Sequence, residues 1–226
     1  MTSRKISDFS KRILKWYDLH QVYYPWRTST DPYQILLCEI MLRKTTRRQV
    51  AKIFDKFFQR YASFKSIAEA DENEIKQLIR PLGIENSRTK IIKRLANSVL
   101  LQWNGMLPLN QADLLSLPGV GIYSANAVLC LTKGERVPLV DTNAIRVIQR
   151  VFCFRSDSKR IRTDPKLWSF ATSLIPSERS KDFNLAILDF AAEVCTIKSP
   201  KCSICPVRLM CKYYMQQSTN PNRKYG

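Results

Sequence analysis

The sequence predicts an all-α fold. Apolar residues recur at helical spacing through most of the chain, helix starts and stops punctuate those runs, and strand patterning is nearly absent. The one strand candidate, "RVPLV", contains a proline, which cannot donate to a strand ladder. Ile6, Phe9, Ile13, Leu14 and Trp16–Tyr17 mark a first amphipathic helix. Residues 33–61, "YQILLCEIMLRKTTRRQVAKIFDKFFQRY", read as helix, with Lys44–Thr46 the place where it would divide in two. "DENEIKQLIR" (71–80) carries acids in its first turn, where the helix dipole favours them, and Pro81 follows its end. "SRTKIIKRLANSVLLQW" (87–103) is a further helix, and "NQADLLSL" (110–117) opens on an Asn cap. The helix after "GVG" runs to about Lys133 and stops at Gly134. "TNAIRVIQRVF" (142–152) comes next. "DPKLWSFATSLI" then has Asp164 as its cap and Pro165 at the first helical position. "DFNLAILDFAAEVC" (182–195) is the last long helix, and the polar tail "QQSTNPNRKYG" (216–226) reads as frayed. No fixed-period repeat is visible.

At 226 residues the chain can bury one large core or two modest ones. Its 37 Lys and Arg against 19 acids give a formal charge of +18, which makes a polyanion the default partner. An anionic membrane surface is the competing reading, but no apolar run approaches spanning length, and "MTSRKISDFSKR" lacks the apolar middle of a signal peptide. The chain is therefore expected to be soluble, intracellular (cytoplasm and nucleoid, or a nucleus) and nucleic-acid-facing. Its basic residues are densest in "KTTRRQVAK" (44–52), "SRTKIIKR" (87–94) and "RSDSKRIR" (155–162). Each stretch alone fits a solvated helix face; their sum argues for a neutralising partner. The single histidine, His20, excludes any metal site that needs two, and it fits a surface or capping role.

Four of the seven cysteines, Cys195, Cys202, Cys205 and Cys211, fall in one short segment spaced C-x6-C-x2-C-x5-C. In an intracellular chain such clustering points to metal rather than disulfides. Zinc and a [4Fe–4S] cluster can both be held by four thiolates. The single tight C-x-x-C pair leans towards the cluster. Lys198 and Lys201 lie between the first two cysteines, where a pinned loop would present them to phosphates. Cys38, Cys130 and Cys153 lie on apolar helix faces and are expected in the core. In "LPGVGIYSANAV", Gly119, Val120 and Gly121 turn tightly into a helix whose first amides can bind an anion. A plain glycine-capped helix connection fits equally well; the charge of +18 favours the phosphate reading.

Together "LPGVG", the following "VDTN" and the four cysteines, in that order, resemble the helix-hairpin-helix DNA glycosylases of the endonuclease III superfamily. The resemblance runs from about Tyr24 to Cys211. "DPYQILLCEIMLRKTT" and "DFNLAILDFAAEVCTIKSPKCSIC" look most like the mismatch thymine/uracil glycosylases, the Mig type. The next nearest is the mismatch adenine glycosylase, the MutY type. "EIMLRKT" matches its helix motif only in part, and the chain stops short of the C-terminal recognition domain which that enzyme carries.

The resemblance implies roles. Asp141 matches the catalytic aspartate that stabilises positive charge on the sugar as the glycosidic bond stretches, although by itself it also reads as a helix cap. Tyr123 stands where bifunctional members carry a Schiff-base lysine, which implies base release with weak or absent strand cleavage. Glu39 matches a pocket glutamate assigned to recognition or catalytic assistance. Arg43 or Lys44 lies where a polar side chain wedges into the duplex, and each also fits a phosphate contact. Asn143 matches a residue positioned on the backbone phosphates, with capping as its bland alternative. Cys195, Cys202, Cys205 and Cys211 would hold a [4Fe–4S] cluster, and a monovalent cation on the hairpin carbonyls is a further family feature. The implied fold has two all-α lobes, residues 25–134 and residues 1–24 plus 135–226, with the active cleft between them and Tyr123 and Asp141 on opposite sides. The implied activity is monofunctional release of thymine or uracil mispaired with guanine, by a monomer acting on double-stranded DNA. An adenine glycosylase and a non-catalytic cluster-bearing DNA-binding protein are the alternatives.

Overall fold

Helices account for the regular structure of residues 3–219, which are the residues the computed structural model describes. In chain order they are α1 (Ser3–His20), α2 (Pro25–Thr28), α3 (Pro32–Met41), α4 (Arg47–Arg60), α5 (Phe64–Glu69), α6 (Glu72–Ile79), α7 (Glu85–Trp103), α8 (Gln111–Ser116), α9 (Ile122–Lys133), α10 (Thr142–Phe152), α11 (Pro165–Leu174), α12 (Ser180–Glu193) and α13 (Lys212–Thr219). Among the described residues there is no strand, and no helix is long and apolar enough to cross a membrane.

The chain divides into two units, Tyr23–Glu135 and a second in which Arg136–Gly226 is joined with Met1–Val22. In the first, α3 is buried nearly all round: Ile35, Leu36, Leu37, Cys38, Ile40 and Met41 are at most 1% exposed. It packs on α7 and α9. An aromatic cluster closes this core, with Tyr33 edge-on to Phe58 and Phe64 and its hydroxyl donating to the Tyr61 carbonyl at 2.6 Å. In the second unit, α12 packs against α1 and α10. Phe9 of α1 meets Phe152 and Phe183 edge-on, with centroids 4.9 and 6.3 Å apart. Each such buried side chain contributes roughly 1.5–3 kcal/mol.

Caps set the boundaries. Asp31, Thr46, Ser63, Asp71, Asn110 and Asp164 each accept a first-turn amide, satisfying groups that a helix start leaves open. The long 33–61 segment does divide: Lys44 takes a left-handed φ of 55°, and Thr46 opens α4 in a capping box with Gln49. "RVPLV" is an irregular segment held by side-chain hydrogen bonds, one of them from its own Arg136 to the Ile175 carbonyl at 2.8 Å. Asn184 on α12 accepts from the Leu139 amide at 2.8 Å and donates to the Val137 carbonyl at 3.0 Å.

Two expectations are corrected. Cys153 is exposed, because α10 ends at Phe152 and Cys153 is its left-handed C-cap (φ 57°), turned off the apolar face. The tail is not frayed from Gln216: α13 continues to Thr219, and Gln217 donates to the Tyr213 hydroxyl at 2.6 Å. The rest of that tail, 220–226, lies outside the described residues.

Candidate functional site

The hairpin and its neighbours lie in the Tyr23–Glu135 unit. Gly119 is exposed with φ 76°, in the region that favours glycine, and a Cβ there would stand 2.5 Å from Cγ2 of Ile91. Val120 is buried, and its amide donates to the Leu117 carbonyl at 3.1 Å. Gly121 is exposed and precedes α9 with no side-chain cap, so the helix start is left open for an anion. The Arg43 guanidinium folds back on this turn. It donates to the Gly119 carbonyl at 2.5 Å and to Ser124 Oγ at 3.2 Å. Burial lowers its pKa and the nearby charge of Glu39 opposes that shift. Glu39 is buried on α3, and Tyr123 is half-buried at the second position of α9, the helix on which α3 packs. Lys44 is exposed on its left-handed turn.

Asp141, in the other unit, is the N-cap of α10. Its Oδ1 accepts the amides of Asn143 (2.8 Å) and Ala144 (2.7 Å), and its Oδ2 accepts from Asn143 Nδ2 (2.7 Å). Asn143 Oδ1 in turn accepts from Arg146 Nη1 at 3.0 Å. Arg146 also donates to the carbonyls of Cys195 (2.8 Å) and Ala191 (2.7 Å). A continuous chain of hydrogen bonds thus ties the Asp141 carboxylate to the end of α12, where the cysteine segment begins.

The four cysteines line one pocket together with Arg150 and Tyr213. They surround it rather than meeting at a point: among the described residues no three His, Cys, Asp or Glu side chains gather as on a single ion. Arg150 donates to the carbonyls of Thr196 (2.6 Å) and Ile197 (2.8 Å) and lies 3.6 Å from Cys195 Sγ. Burial pushes the Cys205 thiol up to about 12 and raises Cys202 and Cys211, while the charge of Arg150 on the pocket wall lowers Cys202. Lys198 and Lys201 are exposed on the loop between Cys195 and Cys202.

Several residues here escaped the sequence reading. Arg146 and Arg150 sit four apart on α10, a spacing that marks one helix face but not what that face touches. Ile84 is 49% exposed with φ 46°, an outlier for a β-branched residue, and its only trace in the sequence is the preceding glycine.

A family model described as "HhH-GPD superfamily base excision DNA repair protein" matches residues 37–172. The thymine/uracil-DNA glycosylase of Pyrobaculum aerophilum is 44% identical over 213 residues, covering 92% of this chain and 93% of that protein. An adenine DNA glycosylase of Buchnera aphidicola is 29% identical over 90% of this chain, which spans 58% of that protein. The solved structure of a thermostable thymine-DNA glycosylase superposes with a TM-score of 0.90 at 38% identity, over 94% of this chain and 98% of that one. A trapped endonuclease III–DNA covalent intermediate shares the fold, with a TM-score of 0.84 at 22% identity.

The hairpin geometry makes a prediction. Gly119→Ala combines a left-handed backbone with a clash against Ile91, and is expected to cost about 1–3 kcal/mol. Urea denaturation should show that loss, and fluorescence anisotropy should show weaker duplex binding. Unchanged values in both would refute this account of the turn.

Proposed function

The chain belongs to the HhH-GPD superfamily of base excision DNA repair proteins, and from that premise we propose that it is a DNA glycosylase releasing thymine or uracil mispaired with guanine. The observation that carries this reading is the 44% identity to a thymine/uracil-DNA glycosylase over nearly the full length of both proteins. Likeness to the adenine enzymes is weaker and covers little more than half of the one from Buchnera aphidicola.

The chemistry follows from Asp141. As the bond between C1′ and the base stretches, positive charge develops on the sugar. A carboxylate beside it stabilises that charge and orients a water. The water oxygen bonds to C1′, the glycosidic bond breaks towards the base, and the base leaves with a proton. Asn143 and Arg146 position the carboxylate, through the hydrogen bonds already described. Glu39 serves base recognition or assists departure from its buried place on α3. Tyr123 offers no amine for an imine, so base release proceeds without efficient strand cleavage. The open start of α9, Lys44, Lys198 and Lys201 take backbone phosphates of double-stranded DNA.

Four cysteines lining one pocket fit the four thiolate ligands that a [4Fe–4S] cluster would take. Cys195, Cys202, Cys205 and Cys211 would hold it. When bound, the cluster supplies a covalent pin for the loop that carries Lys198 and Lys201.

Three outcomes test these assignments. In a panel of duplexes differing only in the mispair, G·T and G·U should lose the pyrimidine, and Asp141→Asn should slow release about 10²–10³-fold; release of adenine alone would favour the adenine enzyme, and an unimpaired Asp141→Asn would displace the chemistry from this residue. Tyr123→Lys should gain strand cleavage and a covalent adduct on borohydride reduction; the absence of any adduct would remove Tyr123 from the pocket. Purified protein should contain iron and sulfide and show a broad brown absorbance that Cys202→Ser diminishes, whereas zinc without iron would end the cluster assignment.

A further inference from the structure

Arg88 is 2% exposed in the first turn of α7. A buried cation ordinarily sits beside a carboxylate. The hydrogen-bond partners of Arg88 are instead neutral oxygens. Its Nη1 donates to the Gly83 carbonyl, and its Nη2 to the Arg43 carbonyl at 2.6 Å and to Thr45 Oγ1 at 2.9 Å. Its Nε is buried with no hydrogen-bond partner; burial and the charge of Arg43 act against the guanidinium, and the charge of Glu85 opposes them without a hydrogen bond to it.

The two carbonyls it grips share one feature: each belongs to the residue just before a left-handed one. Arg43 precedes Lys44 at φ 55°, and Gly83 precedes Ile84 at φ 46°. A left-handed residue other than glycine costs roughly 1–2 kcal/mol, and such conformations persist where the surroundings over-determine them. Neither residue gains burial in return, since Lys44 is exposed and Ile84 is half-exposed. Two unfavourable turns therefore hold an amine and an alkyl group towards solvent, and one buried cation stabilises both. Thr45 adds a direct tie, its hydroxyl donating to the Leu82 carbonyl at 2.9 Å. The side chain of Arg43 carries the same assembly on to the hairpin at Gly119.

Resting on the glycosylase reading, we infer that Arg88 is a positioning residue for base extrusion: it locks the Lys44 and Ile84 turns together, so that both side chains meet the duplex at the mispair as a preformed pair. Extruding a base leaves a gap in the stack, and a preset pair fills it without ordering two loops at that moment.

The test compares Arg88→Met, Arg88→Lys and the milder Thr45→Val on one uracil oligonucleotide, presented as a G·U duplex and as a single strand that needs no extrusion. Single-turnover release from the duplex should fall about 10-fold or more for both Arg88 variants, and less than about 3-fold from the single strand. Arg88→Lys should be no better than Arg88→Met, because an ammonium cannot fork between two carbonyls. With 2-aminopurine beside the mispair, the rise in fluorescence on binding should shrink in parallel. Thr45→Val should show the same duplex-selective loss at smaller size, and it decides the matter if circular dichroism shows the Arg88 variants unfolded. Equal losses on the two substrates, or duplex release unchanged in every folded variant, would overturn the inference. A wild-type protein that released neither thymine nor uracil would instead overturn the glycosylase reading, while the 2-aminopurine signal would still report on Arg88.

Discussion

The hold on the Asp141 carboxylate is the interaction on which the proposed chemistry depends. A helix start leaves amides without partners, and a capping carboxylate ordinarily spends one oxygen on them. Asp141 does this with Oδ1, and the Asn143 side chain then fixes Oδ2. Capping and catalysis are therefore not rival explanations of this residue. The cap sets the rotamer that the proposed chemistry would use. Arg146 extends the constraint, because the nitrogen that steadies Asn143 belongs to the same rigid fork that binds the carbonyls of Ala191 and Cys195. The orientation of one carboxylate is thus tied to the backbone where the cysteine segment starts.

A net charge of +18 invites the view that every basic side chain faces DNA, and the structure divides them differently. Arg43, Arg88, Arg146 and Arg150 all place their guanidinium groups on backbone carbonyls. Lys93 does likewise with Ala68 and Ala70 at the end of α5. Turns and helix ends leave carbonyls that need donors, and arginine supplies several in a fixed plane. Lys44, Lys198 and Lys201 remain exposed, with flexible stems suited to phosphates in any sequence context. Part of the basic composition therefore builds the scaffold and part is left on the surface for the proposed polyanion.

This division explains what the sequence could and could not reveal. The long helices were legible because a buried stripe repeats at helical period and a capping residue marks some of their ends, as at Asp164 before α11 and Gly134 after α9. The helices α2 and α5 span 4 and 6 residues, too short for a period to register. Cys153 reads as one more apolar residue until the helix is seen to end one position earlier. The aspartate proposed as catalytic and the role proposed for the hairpin were legible only through the resemblance, since a glycine turn and a capping acid are common in helical proteins. Arg88 was illegible: within "SRTKIIKR" it looks like any solvated charge, and only the tertiary fold closes carbonyls around it. The same holds for Ile84, whose backbone conformation no propensity would choose.

The cysteine segment poses the complementary problem of a backbone with little to hold it. Between Cys195 and Cys211 the regular structure is two short 3₁₀ turns, and Ile197, Ile204 and Leu209 are each at least 65% exposed. Such a segment buries too little apolar surface to offset the entropy of ordering it, which runs to roughly 1–2 kcal/mol per residue for the backbone alone. The lacing by Arg146 and Arg150 restrains only its first residues, at the carbonyls of Cys195, Thr196 and Ile197. Further along, the ties are sparser: the Lys201 amide donates to the Val194 carbonyl at 2.9 Å, Arg12 to the Pro206 carbonyl at 3.4 Å, and the Cys211 thiol to the Arg150 carbonyl at 3.4 Å. Four thiols around one pocket would add further tethers on ligation of the proposed cluster. Because the same arginine that laces the loop steadies Asn143, and through it Asp141, loop order and carboxylate orientation are coupled by contact and not by distance.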